Sequence, residues 1–140
     1  MRIDRQQATG LLERAQVARL ATVGHDAQPH LVPVTFAVDR GAERIVTAVD
    51  HKPKTTTSLR RLRNIEQNPR VSVLVDHYEQ DWGALWWVRA DGAAEVTAAE
   101  QHPELVRALT DKYEQYADHP PRASLIVIEV RRITGWSAGE

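Results

Sequence analysis

The chain has 140 residues, enough for one domain with a real core and too few for two independent ones. Its formal net charge is -1, so the molecule as a whole has no bias toward nucleic acid or an anionic membrane. It contains no cysteine, which excludes disulfides, thiol nucleophiles and thiolate metal sites.

The N-terminus, Met1-Arg2-Ile3-Asp4-Arg5-Gln6, carries charges where a signal peptide needs an apolar run, and no stretch is long enough to span a bilayer. A cytoplasmic protein without a membrane segment is the expectation. Asp4 is a candidate N-cap for a helix running to about Gln16, with Leu11 and Leu12 among its apolar contacts. The stretch from Val17 to Val23 reads as a strand stopped by Gly24-His25-Asp26. A second strand is predicted from Pro29 to about Val38, where Val32, Val34, Phe36 and Val38 share one face by alternation. Asp39-Arg40-Gly41 then turns the chain into a third strand, Arg44 to Val49.

A helix is predicted from about Thr55 to Gln67, with Leu59, Leu62 and Ile65 as its buried stripe and Asn68-Pro69 as its stop. Arg70 to Asp76 forms a fourth strand and Leu85 to Arg89 a fifth. Asp91-Gly92 is a hairpin signal that places a sixth strand at Ala94 to Thr97. Pro103 to Tyr116 reads as a helix and Ser124 to Ile133 as a long closing strand, followed by Trp136. With neither repeats nor a linker, residues 1–140 form a single domain. Strands joined by short turns, with helices inserted between them, predict a mainly β fold with α: a six- to seven-stranded antiparallel barrel with flanking helices.

The segment Asp50 to Asn64 looks built to hold an anion. Lys52 and Lys54 flank a proline, the hydroxyl run Thr55-Thr56-Thr57 follows, and an arginine-rich helix begins. A helix N-terminus presents unpartnered N–H groups and a dipole that favours negative charge, so a phosphate fits there. The alternative is an ordinary solvated loop. Pro33 stands inside a strand, where it cannot donate to a ladder, and so marks an edge, a bulge or backbone that faces a ligand. Trp86, Trp87 and Trp136 lie in or beside strands and Trp82 in a loop, a set common in cores, in interfaces and around planar ligands. His25, His30, His51, His77, His102 and His119 are scattered without metal-ligand spacing, and no hydrolytic or nucleotide-phosphate motif occurs. No metal and no side chain in an acid–base role is expected. A nucleic-acid surface is disfavoured because the basic residues occupy one segment.

The order of these pieces resembles the pyridoxamine-phosphate-oxidase-like split barrels. The resemblance is carried by Val17 to Val23, by Pro29-His30-Leu31-Val32-Pro33-Val34-Thr35-Phe36, by Lys52 to Lys54, by Asn64-Ile65-Glu66-Gln67-Asn68-Pro69-Arg70 with the strand after it, and by Trp136. Within that superfamily, Leu85-Trp86-Trp87-Val88-Arg89-Ala90-Asp91-Gly92 is most similar to an actinobacterial branch using the 8-hydroxy-5-deazaflavin coenzyme F420.

The resemblance implies a split β-barrel homodimer with two cofactor sites at the interface, and hydride transfer between F420 and a small organic acceptor. The ring would lie against Val32, Pro33, Val34 and Thr35. The phosphate would be held by Lys52, Lys54 and the Thr55–Thr57 helix start, with Arg60 or Arg61 in reach. Trp87 and Trp136 would form a wall from the partner subunit, and His77, Tyr78 and Trp82 would line the acceptor pocket. Arg61 stands where related sequences often carry a lysine. An FMN-dependent oxidase or reductase is the first alternative. A module that binds a flavin, deazaflavin or haem without turnover is the second. Five cations between Lys52 and Arg63 lean toward the deazaflavin, whose phosphodiester and oligoglutamate tail form a longer anion than one phosphate.

Overall fold

The computed structural model describes residues 1–49 and 59–139. Its elements in chain order are α1 (Arg5–Arg14), β1 (Ala18–Val23), β2 (Pro29–Val34), β3 (Ala37–Asp39), β4 (Arg44–Ala48), α2 (Arg60–Gln67), β5 (Arg70–His77), β6 (Trp86–Ala98), α3 (Pro103–Lys112), α4 (Glu114–Asp118) and β7 (Ser124–Ser137). The strands make one antiparallel sheet of seven, in the order β2-β1-β5-β6-β7-β4-β3. Its two edge strands, β2 and β3, are consecutive in the chain and separated only by Thr35 and Phe36. A sheet whose opposite edges are joined by two residues must curl until those edges meet. The result is a barrel split along the β2/β3 seam.

The seam is where the expected strand from Pro29 to Val38 divides. β2 pairs with β1, whereas β3 pairs with β4. Backbone that leaves a ladder inside a protein needs other partners. They come from Tyr113, whose hydroxyl accepts from the Phe36 N–H at 3.1 Å and lies 2.8 Å from the Gln16 carbonyl and 3.0 Å from the Phe36 carbonyl. A single phenolic proton serves one carbonyl at a time. Tyr113 itself is extended, at φ -122° and ψ 125°, and breaks the expected helix from Pro103 to Tyr116 into α3 and α4. That break turns the ring inward, onto the seam.

Asp91-Gly92 is not a hairpin. β6 runs through it for 13 residues, with a register shift against β7 between these two positions. A Cβ on Gly92 would lie 2.2 Å from the Glu129 carbonyl oxygen, so glycine is required because the β7 backbone comes too close for any side chain. The expected fifth and sixth strands are therefore one strand. The second strand's division restores the count of seven.

Inward residues of both halves form the main core, including Leu12, Leu20, Phe36, Ile45, Val73, Val75, Val88, Ile126 and Ile128. A second cluster under α3 is built from Leu105, Leu109, Tyr113, Val46 and Leu125. Asp4 caps α1 as expected, in a reciprocal capping box with Gln7. Among the described residues, no helix is long and apolar enough to cross a membrane.

Candidate functional site

Strand alternation sorts the first half of the sheet into two faces. In β1, Ala18, Leu20 and Thr22 are buried, while Arg19 is exposed and Ala21 and Val23 are half-buried. The register places Pro33 beside Arg19 and Leu31 beside Ala21, then Leu74 and Ser72 across β5, then Arg89 and Asp91 on β6. Two adjoining grooves occupy this outer face and share Ala21 and Ser72. One, of about 420 Å³, is lined by Arg19, Leu31, Leu74, Asp76, Tyr78, Trp87 and Arg89 among others. The other, of about 590 Å³, includes Arg70, Asp91 and Arg131.

Charges in the first groove are matched. Arg19 lies 3.8 Å from Asp76, and Arg89 lies 3.2 Å from Asp91, which also accepts from the Ser72 hydroxyl at 2.6 Å. Arg89 stands 5.8 Å from the centre of the Trp87 ring, within cation–π range. In the second groove, Arg70 and Arg131 make no side-chain hydrogen bond or ion pair among the described residues. That groove therefore carries the uncompensated positive charge.

Pro33 is exposed on β2, an edge strand, where a missing donor costs no interior ladder bond. Val32 and Val34 turn inward and pack against the main core. Thr35 lies in the seam, its hydroxyl 2.9 Å from that of Tyr116. Trp87 and Trp136 are register partners on β6 and β7, and Trp136 remains exposed. Tyr78 shares the groove with Trp87. His77 does not share it: its register partner is Trp86 on the opposite face, its ring stacks on that indole, and it pairs with Glu79. Trp82 opens a short 3-10 turn, Trp82–Ala84, and is 74% exposed.

In the described residues, α2 begins at Arg60 after an extended Leu59, and the expected start near Thr55 falls outside the described residues. Leu59 holds its N-cap position without a side-chain bond, and no acidic residue lies in its first turn. Lys52, Lys54, Thr55, Thr56 and Thr57 lie outside the described residues. Three ties fix α2 over the β1–β2 turn. Asn64 Nδ2 donates to Thr22 Oγ1 at 3.0 Å, with both residues buried. Gln67 accepts from the His25 backbone N–H at 2.8 Å, and Arg60 pairs with Asp26 at 2.8 Å. Gly24 permits this approach, since a Cβ there would meet Gln67 Oε1 at 2.5 Å and Asn64 Oδ1 at 2.6 Å. Arg60 therefore serves the hairpin. Arg61 follows it in the first turn, half-buried.

Asn64, Tyr113 and Tyr116 were given no polar role by sequence reasoning. Asn64 carried a visible signal, a polar residue within the apolar stripe of a helix. The tyrosines carried none, because their hydroxyls reach groups far away in sequence: backbone for Tyr113 and the Thr35 hydroxyl for Tyr116. Among the described residues, no group of His, Asp or Glu could hold a metal ion.

The family model for pyridoxamine 5'-phosphate oxidase matches residues 5–137. Several solved structures share the fold. A conserved hypothetical protein from Mycobacterium tuberculosis superposes with a TM-score of 0.77 at 21% identity, over 97% of this chain and 86% of that one. An FAD-binding protein from Mesorhizobium loti gives 0.71 at 21% identity, over 96% and 95%. A haem-binding protein from Mycobacterium smegmatis gives 0.76 at 22% identity, over 99% of this chain but only 56% of that one. No curated protein matches the sequence.

Proposed function

Because the chain belongs to the pyridoxamine 5'-phosphate oxidase family, with a match over residues 5–137, we propose that it binds a flavin-type redox coenzyme, F420 in preference to FMN, and moves a hydride between it and a small organic acceptor. The observation that carries this reading is the outer face of β2, β1, β5 and β6. It combines an open strand edge at Val32–Val34, a groove with an indole wall at Trp87, and the basic start of α2. A planar ring needs a flat apolar wall and main-chain partners for its polar rim, which an aromatic-lined groove beside an unpaired edge offers. A phosphate needs N–H donors and cations, and the basic first turn of α2 with Arg61 is the candidate for both. The residues present thus fit the group.

When bound, the coenzyme supplies the hydride chemistry itself. The protein's residues have three tasks: to bind, to orient the ring and to exclude water. Edge strand β2 offers backbone to the ring, Trp87 and Trp136 cover an exposed face, and Arg61 holds the phosphate together with Lys52 and Lys54. No side chain needs to move a proton at the reacting carbon, so none is assigned an acid–base role.

Preference for F420 rests on the second groove. Arg70 and Arg131 continue the face beyond the ring site and have no partner among the described residues, so they suit the acidic tail of the longer coenzyme. Arg60 no longer supports that argument, because Asp26 already occupies it. The protein works as a homodimer in this reading. Leu31, Tyr78, Trp82 and Trp136 are all exposed large apolar residues, and Leu31 and Tyr78 line the first groove itself.

Parallel titration of the apo-protein with F420 and FMN, followed by fluorescence, tests the preference. Tighter binding of F420 is expected, weakened by charge reversal at Lys54. Tight FMN binding without F420 binding would transfer the function to the FMN alternative. Binding of either coenzyme with no turnover of enone or quinone acceptors would make the protein a carrier. Light scattering is expected to give twice the chain mass of 15.8 kDa.

A further inference from the structure

A third cavity, of about 520 Å³, lies away from both sheet grooves. It is lined by Ala48 and Val49 at the end of β4, by Tyr116 on α4, and by His119, Pro120, Pro121, Arg122 and Ala123 on the way into β7. We propose that this cavity binds a small planar organic carboxylate.

Three features support the assignment. The aromatic wall is held before any ligand arrives. The Tyr116 ring meets Tyr113 edge-on at a centroid distance of 5.6 Å and an interplanar angle of 86°, and its hydroxyl is fixed 2.9 Å from Thr35 Oγ1. The rim is stiff, because consecutive prolines restrict their own φ angles and the residues before them. The cationic side is uncommitted: neither the Arg122 guanidinium nor the His119 ring makes a hydrogen bond or ion pair among the described residues. An apolar floor from Ala48, Val49 and Ala123, one ring wall and one planar fork of donors match a flat molecule with a carboxylate at one end. An uncharged planar ligand would leave Arg122 unused, and phosphate would leave the apolar floor unused.

The Tyr116–Thr35 bond ties the wall of this cavity to the seam after β2.

The test uses the full chain without coenzyme and 4-fluorobenzoate as probe, followed by fluorine NMR, with 4-fluorobenzamide as its neutral isostere. Saturable binding of the acid is expected, weaker by about tenfold or more in Arg122→Ala and for the amide, the loss of one charge-assisted bidentate pair. Trp82→Ala should leave it unchanged. No saturable binding, or equal binding by wild type and Arg122→Ala, would overturn the proposal. A failed coenzyme titration would leave this result intact.

Discussion

The two ends of β2 are held by opposite chemistries. At the turn into β1, α2 is tied down by ordinary polar pairs: Asn64 to Thr22, Gln67 to the His25 backbone, and Arg60 to Asp26. At the seam, the buried Tyr113 phenol holds the Phe36 backbone, the half-buried Tyr116 hydroxyl meets that of Thr35, and the Lys112 ammonium lies 3.9 Å from the centre of the Phe36 ring with no hydrogen-bond partner among the described residues. The turn can lose any one tie and keep the others. The seam depends on a few groups that water cannot replace. Since the seam also closes the barrel, the less redundant end carries the topology.

Removal of the Tyr113 hydroxyl should therefore produce the largest effect. Burial pushes the phenol above its ordinary pKa, against the bond from the Phe36 backbone, so it stays neutral as both donor and acceptor. Tyr113→Phe leaves the buried Phe36 N–H without a partner. A loss of about 2–3 kcal/mol in urea unfolding is expected, the desolvation cost of an orphaned buried donor plus the second bond. A loss under about 0.5 kcal/mol would mean that water reaches the seam and that the contrast with the turn is false. At the turn, Asn64→Ala removes one buried pair with Thr22. A smaller loss of about 1–2 kcal/mol is expected, since Gln67 and Arg60 remain.

Lys112 gives the comparison a sign. Burial pushes its ammonium down to about 8 from an ordinary 10.5, and Glu13 across from it pulls the other way. The depressed value means that the folded state resists the charged form. That penalty is present in full below about pH 8 and fades as pH rises toward 10.5, so this residue makes stability increase over that interval. Phe36 and Tyr113 return part of the penalty through their ring faces. Lys112→Met should then stabilise the protein at pH 7 by about 1 kcal/mol and flatten the rise between pH 8 and 10. Thermal melts across that range read both effects. A destabilised Lys112→Met protein would show that the cation–π contact outweighs desolvation.

Legibility in the sequence follows the same division. Elements fixed by neighbours in the chain were readable: the Asp4 cap, the strand at β1, the alternating face of β2, the stop at Asn68-Pro69, and the turn at Asp39-Arg40-Gly41. Features set by distant backbone were not. Asp91-Gly92 reads as a turn locally, but β6 is paired on both sides by β5 and β7, and the glycine answers the close Glu129 carbonyl. The seam at Thr35–Phe36 and the helix break at Tyr113 are one event seen from two places 77 positions apart. The site divides likewise. The edge proline and the basic helix were visible as residue types, whereas the third cavity is assembled from the ends of β4, α4 and β7, which no local pattern joins.

Arg60→Ala is expected to have the smallest effect on folding and gives the sharpest reading of the turn. The pair with Asp26 is short at 2.8 Å, but both side chains are substantially exposed, at 40% and 59%. Exposed pairs of this kind are worth about 0.2–1 kcal/mol, and salt screens them. A double-mutant cycle with Asp26→Ala should return a coupling of about 0.5 kcal/mol at low salt, falling toward zero as salt is added. Coenzyme affinity should change little, because the guanidinium is committed to Asp26 and not to a phosphate. A tenfold loss of affinity in Arg60→Ala, with coupling to Asp26 absent, would move Arg60 from the hairpin to the anion site and restore it to the cations that favour the longer coenzyme.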